Sequence, residues 1–325
     1  MSAFRAGSLR LFRLAGIDVY LHWSWLLAAV FLVPYRAQLA QEGAGLLRLY
    51  ESPRWYWIEY LSLFAIVLMH EFGHALACRQ VGGFADHIVL WPLGGIALVR
   101  PPQRPGSLLW TAAAGPLVNV ALLPVLGGLA LLAGHFDWAA INADFPLFLG
   151  GLFWINLGLL IFNLIPVYPM DGGQILYALL WFLIGRADSL LIVSLLGMGI
   201  GSGMLLLTLL FGPLWCLMSA FLVYVAYAGF RQSRVLARIL SGPRRQEAAC
   251  PSCGVSPLVG NYWTCDECGT RFDTFHCRAQ CPGCGKLFRM TRCPECYQQY
   301  PISEWFAVAA PGEPRPSGSG ASTAP

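Results

Sequence analysis

Three ionisable residues with metal-binding spacing lie within one long apolar run. His70, Glu71 and His74 form an H-E-x-x-H pattern. Residues four apart lie on one face of a helix, one turn from each other, so both imidazoles can reach one metal ion. Glu71, next to the first imidazole, can reach a water molecule at that metal and act as its general base. The pattern is therefore typical of a zinc metalloprotease site.

A catalytic zinc ion has three protein ligands and one open position, so a third ligand is needed. Asp171 is the best candidate, in the segment N-L-I-P-V-Y-P-M-D-G-G. Pro166 and Pro169 must interrupt a helix here, and irregular backbone at membrane depth occurs where it lines a site or is buried in protein. Gly172 and Gly173 allow a close approach of the chain. The alternative is that Asp171 caps a helix at a turn.

The composition places these residues in a membrane. The chain is 57% hydrophobic and only 12% charged, against about 25% charged for soluble proteins. Placing an ionisable group in a membrane helix costs about 2.5–3.5 kcal/mol, and a bound metal is the simplest partner for three of them. A shorter apolar piece, 171–185, is interpreted as the continuation of a broken helix or as a re-entrant segment. The long runs predict six spans, at about 20–34, 57–79, 107–133, 146–166, 189–211 and 213–230.

The positive charges predict the orientation. Arginines concentrate in the N-terminal arm, in segment 79–106, at Arg186 and after the last span, whereas loop 134–145 has no Lys or Arg. Cytoplasmic segments carry the excess of positive charge. We therefore expect a multi-pass cell-membrane protein with both termini in the cytoplasm.

Segment 80–106 lacks a helical pattern. Its glycines and prolines separate two short apolar runs, 88–91 and 96–99, that look like two short strands. Such a pattern predicts a β-hairpin at the membrane surface.

Nine of the eleven cysteines fall between residues 250 and 296, which marks a second domain. Four C-x-x-C pairs favour metal over disulfides and indicate a reducing compartment. They predict two structural Cys₄ zinc sites. The simplest arrangement joins the first pair with the second and the third with the fourth, but a crossed pairing stays open. Two further alternatives are that Cys277 replaces a neighbouring ligand and that the tail is a redox-active dithiol. The few Lys and Arg residues disfavour nucleic acid as a partner. The predicted ligands are Cys250, Cys253, Cys265, Cys268, Cys281, Cys284, Cys293 and Cys296.

The motifs resemble the site-2 protease family of intramembrane zinc metalloproteases. The resemblance rests on H-E-F-G-H, on G-P-L-V-N at residues 115–119, and on N-L-I-P-V-Y-P-M-D-G-G. Two further stretches, L-W-P-L-G-G at 90–95 and G-I-D-V-Y-L-H-W-S-W, resemble the bacterial branch with sporulation-factor-processing proteases, so a bacterial inner membrane is expected. Many relatives of that branch end in a nucleotide-sensing module, which the cysteine-rich segment replaces here.

The resemblance implies residue roles. His70, His74 and Asp171 would bind the catalytic zinc, and Glu71 would be the general base. Asn163 would help to hold the substrate backbone. Asn119 would be a polar substrate-binding position in the preceding helix, although a hydrogen bond between packed helices is an equal alternative.

These observations predict an all-α polytopic membrane protein of about six helices with a short β-hairpin. Its domains would be a membrane-embedded metalloprotease domain (1–240), a zinc-ribbon domain (248–300) and a disordered tail (311–325). Its substrates would be membrane-spanning or membrane-tethered proteins such as regulators, cut within or beside the lipid bilayer. One alternative, a membrane metal-ion transporter, predicts polar residues repeated along several spans. The other, an inactive scaffold that binds membrane proteins, would more naturally lack Glu71.

Overall fold

The computed structural model describes residues 7–41, 50–91, 94–209, 213–293 and 298–307. Its contacts divide the chain into two compact units, Met1–Leu236 and Ala237–Pro325. The predicted disordered tail, 311–325, lies outside the described residues. Up to the end of α7, the elements are β1 (Ser8–Leu14), β2 (Ile17–His22), α1 (Ser24–Gln41), α2 (Arg54–Gln80), β3 (Phe84–Trp91), β4 (Gly94–Arg100), α3 (Pro105–His135), α4 (Asp144–Asn163), α5 (Asp171–Ile184), α6 (Arg186–Thr208) and α7 (Pro213–Leu240).

Four helices within the described residues, α2, α3, α4 and α6, are long and apolar enough to cross a membrane. Each coincides with a predicted run, and the chain is a membrane protein. The first and last predicted runs also form helices, α1 and α7, but the count of six spans stays a prediction. The short run 171–185 forms its own helix, α5, of 14 residues. A helix of that length is too short to cross a bilayer alone.

The β-structure is larger than the predicted hairpin. Strands β3 and β4 pair antiparallel as expected, but they belong to a four-stranded sheet in the order β1-β2-β3-β4. The start of the first predicted helix was wrong, because residues up to His22 belong to β2 and α1 begins at Ser24. In β2 the alternate residues Ile17 and Val19 are buried, which is the period-two pattern of a strand. The adjoining apolar run hid that pattern in the sequence.

Helix α2 packs on two sides. One side contacts the sheet, where Ile17, Ile88 and Leu90 are buried against Val67 and Cys78 of α2. The other side packs against α3 and α4 around Ile66 and Leu152. Its last turn is tied to the sheet, because the Arg79 guanidinium donates to the carbonyls of Gly16 and Ala85. Burial on both sides gives α2 a fixed position between the sheet and the helices.

The second unit is small and depends on short elements. Besides the end of α7 it contains β5 (Trp263–Thr264), β6 (Arg271–Phe272), β7 (Thr291–Arg292), β8 (Gln299–Tyr300) and α8 (Ile302–Ala307), and its strands form two two-stranded sheets. Trp305 is fully buried among Ala248, Cys250, Phe275 and Cys293. Such a core is too small to stabilise a domain of this size without further constraints.

Candidate metal centre

The two histidines of α2 and the aspartate of α5 meet at one point. The Nε2 atoms of His70 and His74 are 3.0 Å apart. Asp171 Oδ2 lies 3.0 Å from His70 Nε2 and 3.3 Å from His74 Nε2. All three side chains are largely buried. The three residues predicted as one ligand set are therefore adjacent, although Asp171 is far from the histidines in the sequence.

The position of Asp171 follows from the proline-rich interruption. Helix α4 ends at Asn163 and α5 begins at Asp171, as the two prolines predict. Asp171 is the first residue of α5 and is not its cap, since Met170 holds the cap position. A Cβ added to Gly172 would lie 2.2 Å from the Leu164 carbonyl oxygen. The glycines after Asp171 therefore allow the interrupting loop to fold back on the first turn of α5.

Both imidazoles are oriented by hydrogen bonds at their other nitrogen. His74 Nδ1 donates to the Thr111 carbonyl oxygen at 2.7 Å. His70 Nδ1 donates to Asn119 Oδ1 at 2.5 Å. With Nδ1 protonated, each neutral imidazole presents the lone pair of Nε2 to the centre. Both acceptors lie on α3, so that helix sets the tautomer of the histidines on α2.

Asn119 is itself held by a residue that the sequence analysis missed. Its Nδ2 donates to Asn156 Oδ1 at 2.7 Å, and Asn156 Nδ2 donates back to the Asn119 carbonyl oxygen at 2.9 Å. Both asparagines are 0% exposed. Asn119 therefore occupies a hydrogen bond between packed helices, the second of its two predicted roles, and its side chain is not open to a substrate. An asparagine within the apolar run of α4 was the available signal for Asn156.

Gly115 is the second residue whose role the sequence did not reveal. A Cβ at this position would lie 2.2 Å from His74 Nε2 and 2.8 Å from His70 Cε1. Real Cβ atoms do not approach other atoms so closely. A glycine is therefore required where α3 passes the two imidazoles.

The donor set fits a zinc ion. Asp171 Oδ2 is buried and accepts no hydrogen bond from the described residues. It faces two Nε2 lone pairs, so three electron-pair donors point at one another, which is unfavourable without a cation between them. Zinc–nitrogen and zinc–oxygen bonds in a tetrahedral site place ligand atoms about 3.3 Å apart. The observed separations are close to that value.

Two further residues were predicted to belong to the site, Glu71 and Asn163. Glu71 follows His70 on α2 and is 6% exposed. Asn163 is the last residue of α4 and is half-buried. Its predicted contact with substrate stays a prediction.

A cavity of about 500 Å³ opens elsewhere in the first unit. It is lined by aromatic and aliphatic side chains including Trp55, Trp138 and Phe145. Trp55 lies in the first turn of α2, whereas the histidines lie in its C-terminal half. The cavity is therefore separate from the candidate metal centre.

In the second unit the cysteines group differently from the sequential pairing. One group consists of Cys265, Cys268, Cys281 and Cys284, whose Sγ atoms lie within 4.8 Å of one another. Cys250, Cys253 and Cys293 form the other. The sequential pairing was wrong, because the second C-x-x-C pair lies with the third, and the first pair lies with Cys293 of the fourth. Cys296 lies outside the described residues, and Cys277 belongs to neither group.

Parts of the chain are similar to known proteins. Residues 126–208 match the model of peptidase family M50; this segment contains Asn163 and Asp171, whereas the histidine motif lies outside it. The chain is 34% identical over 231 residues to zinc metalloprotease MJ0392 of Methanocaldococcus jannaschii, covering 70% of this chain and 61% of that protein. It is 31% identical over 127 residues to stage IV sporulation protein FB of Bacillus subtilis, covering 37% of this chain and 39% of that protein.

A solved structure, the site-2 protease from Methanocaldococcus jannaschii, is similar with a TM-score of 0.48 and 28% identity, covering 69% of this chain and 95% of that one. The chain spans about four-tenths to six-tenths of the length of the curated relatives it matches.

The fold and the site define a membrane protein with a His-His-Asp candidate metal centre between its apolar helices. Together with the matched relatives, they make the chain similar to zinc metalloproteases and, over residues 126–208, to peptidase family M50.

Proposed function

We propose that this protein is an intramembrane zinc metalloprotease that hydrolyses peptide bonds of membrane-spanning or membrane-tethered proteins. The observation that carries the proposal is the convergence of His70 Nε2, His74 Nε2 and Asp171 Oδ2 within 3.3 Å of one another. His70, His74 and Asp171 would hold the ion. A zinc ion bound there supplies a Lewis acid and lowers the pKa of water, which makes hydrolysis feasible at neutral pH.

The protein's own residues would perform the remaining steps. Glu71 takes a proton from the attacking water and delivers it to the leaving amine. Thr111 and Asn119 keep Nδ1 of the two imidazoles protonated, so that the ligand atoms do not change during the reaction. Asn163, at the end of α4, would hold the substrate backbone near the break before Asp171.

A membrane helix hides its peptide bonds in internal hydrogen bonds, so the substrate must unwind before it is cut. Strand β4 lies at one edge of the sheet, and an edge strand offers unpaired backbone groups to an added strand. We assign β4 this role. The sheet packs on α2, the helix that carries the histidines, so a bound strand would lie beside the metal centre.

We also propose a location for the protein and a number of bound zinc ions. The protein would cross the cell membrane several times, in a bacterial inner membrane, with both termini in the cytoplasm. It would bind one catalytic zinc ion, and two structural zinc ions in the cysteine-rich tail. The tail would be a folded domain on the cytoplasmic side of the membrane.

The test begins with Glu71→Gln, which keeps the size of the side chain but removes the base. Membrane proteins cross-linked to this variant are identified, and each is then co-expressed with the parent protein and with Glu71→Gln. We expect cleavage by the parent and at least a hundredfold less by the variant, since a positioned acid–base group contributes about 10²–10⁴-fold. Glu304→Gln, in the exposed part of α8, is the matched control and should cleave like the parent.

Equal cleavage by the parent and Glu71→Gln would refute the role of Glu71. Zinc content, measured on the same preparations, should be unchanged in Glu71→Gln. A variant that has lost its zinc would show that the residue acts on the metal centre and not on the proton.

A further inference from the structure

The first cysteines of the four C-x-x-C pairs in the tail make the same backbone hydrogen bond. The amide of the first cysteine in each pair donates to the carbonyl oxygen five residues ahead, at 2.8–3.1 Å. Three of the pairs are followed by a glycine with positive φ, at Gly254, Gly269 and Gly285. The first three pairs therefore share one local turn, and Cys293 of the fourth pair makes the same backbone hydrogen bond.

The second and third pairs bring four sulfur atoms to one point. The Sγ atoms of Cys265 and Cys284 are 3.6 Å apart, and those of Cys268 and Cys281 are 3.5 Å apart. A zinc–sulfur bond of about 2.3 Å in a tetrahedral site separates sulfur atoms by about 3.8 Å. A disulfide would require about 2.05 Å. The spacing therefore fits thiolates around a metal ion.

The first pair and Cys293, the described cysteine of the fourth pair, form a second group with similar spacing. Cys253 Sγ lies 3.8 Å from Cys293 Sγ, and Cys250 completes a set of three described cysteines. Cys250 and Cys293 are nearly fully buried. The ligands of the first group all lie between Cys253 and Cys293 in the sequence, so one group is enclosed within the loop that the other closes.

From this topology we infer that the tail binds two thiophilic divalent metal ions in nested sites that load as one coupled unit. The inner site is Cys265, Cys268, Cys281 and Cys284. The outer site contains Cys250, Cys253 and Cys293. No residue of the M50-type centre takes part, so the inference is independent of the proposed protease activity.

Chain entropy sets the order of loading. The inner site closes residues 269–280, whereas the outer site closes residues 254–292. With equal ligands, the shorter loop gives the inner site about a sixfold advantage in affinity. A filled inner site leaves only 254–264 and 285–292 free, so it raises the affinity of the outer site about threefold. Because coupling is reciprocal, the outer ion strengthens the inner one by the same factor.

Side-chain packing adds to this coupling. Trp263 packs against the inner cluster around Cys265 and Cys281 and also against the outer cluster around Cys250 and Cys293. Its Nε1 donates to the Arg292 carbonyl oxygen at 3.4 Å, next to Cys293. One indole therefore contacts both sites, and the threefold coupling from chain entropy is a lower bound.

The test replaces cysteines in pairs in the 325-residue chain, purified in detergent. Cobalt(II) is the probe, because its thiolate charge-transfer absorption reports the cysteine sites and not a His-His-Asp site. We expect two thiolate-bound cobalt ions in the parent. Cys268→Ser with Cys281→Ser should leave one, and Cys253→Ser with Cys293→Ser should also leave one. Cys253→Ser with Cys268→Ser should leave none.

Sites formed by sequential pairing would leave no thiolate-bound cobalt ion in either of the first two variants and one ion in the third. That result would overturn the inference. Loss of both ions in each of the first two variants would overturn it too, whatever the third shows. Cys277→Ser is the matched control, because Cys277 belongs to neither group; it should keep both ions. For the coupling, the ion left in Cys268→Ser with Cys281→Ser should bind at least threefold more weakly than the weaker ion of the parent. Unchanged affinity would refute the coupling.

Discussion

At the scale of single residues, the candidate centre depends on groups that are not ligands. Asn156 fixes Asn119, Asn119 fixes His70, and the Thr111 carbonyl fixes His74. The series of hydrogen bonds from Asn156 through Asn119 to His70 runs from α4 through α3 to α2. The geometry of the ligand atoms is thus set by two neighbouring helices as well as by the spacing within α2.

Gly115→Ala tests how closely α3 must approach the imidazoles. The added Cβ would meet His74 Nε2 at 2.2 Å, so either the imidazole or the helix must move. We expect zinc affinity to fall at least tenfold and cleavage to fall with it, because displaced ligands cost about that much. Zinc affinity is measured by competition with a chelator in detergent.

Gly128→Ala is the control, on the same helix with nothing within 4 Å of the new Cβ. It should keep the parent's affinity. If Gly115→Ala binds zinc as tightly as Gly128→Ala, the close approach of α3 is not needed for the metal centre.

Part of this site could be predicted from the sequence, for physical reasons. Helical spacing alone brings His70 and His74 to one face, and two prolines force the interruption before Asp171. The roles of Asn156 and Gly115 could not be predicted, because each depends on which helix packs against α2. The cysteines could not be paired either, since four similar C-x-x-C turns satisfy several pairings equally.

At the scale of elements, the sheet and α2 form one supporting structure. Strands β2 and β3 are parallel neighbours, joined through α1 and α2. The sequence predicted β3 and β4 from short apolar runs between glycines and prolines. In contrast, β2 leads almost directly into α1, and the apolar residues of the two elements merge into one run. A boundary between a strand and a helix that are both apolar leaves only a weak signal in the sequence.

Proline substitution in β4 tests its role as the strand that receives substrate. Replacing residues 96–99 one at a time removes single backbone donors from the sheet edge. We expect cleavage to fall where the lost N–H faces outward, with zinc content unchanged. Cleavage of an identified substrate and zinc content are measured on the same samples.

The opposite edge provides the control. Strand β1 has an irregularity between Arg10 and Phe12, so Leu11→Pro alters an edge that is already interrupted. It should leave cleavage intact. Normal cleavage throughout the β4 series would remove the strand-addition step from the proposed mechanism.

At the scale of the whole molecule, a membrane unit and a small cysteine-rich unit share one chain. The positive-inside rule predicts that both termini lie in the cytoplasm. Epitope tags at the two ends should therefore be cut by protease in inside-out vesicles and protected in right-side-out vesicles.

A tag inserted after Asp137, in the loop between α3 and α4, is the control for topology. Because α3 is one of the membrane-capable helices, this tag should show the reverse pattern. Termini that are cut in opposite vesicle preparations would require an odd number of spans and would contradict the predicted six.

The distance along the sequence between His74 and Asp171 has a consequence for biosynthesis. A ribosome completes α2 and α3 well before it reaches α5, so a growing chain carries both imidazoles without their carboxylate partner. If Asp171 is the third ligand, a nascent or prematurely terminated chain is unable to cut its neighbours in the translocon. Proteolytic competence would then arise only once α5 has docked beside α2, which couples the onset of activity to completion of the helical bundle.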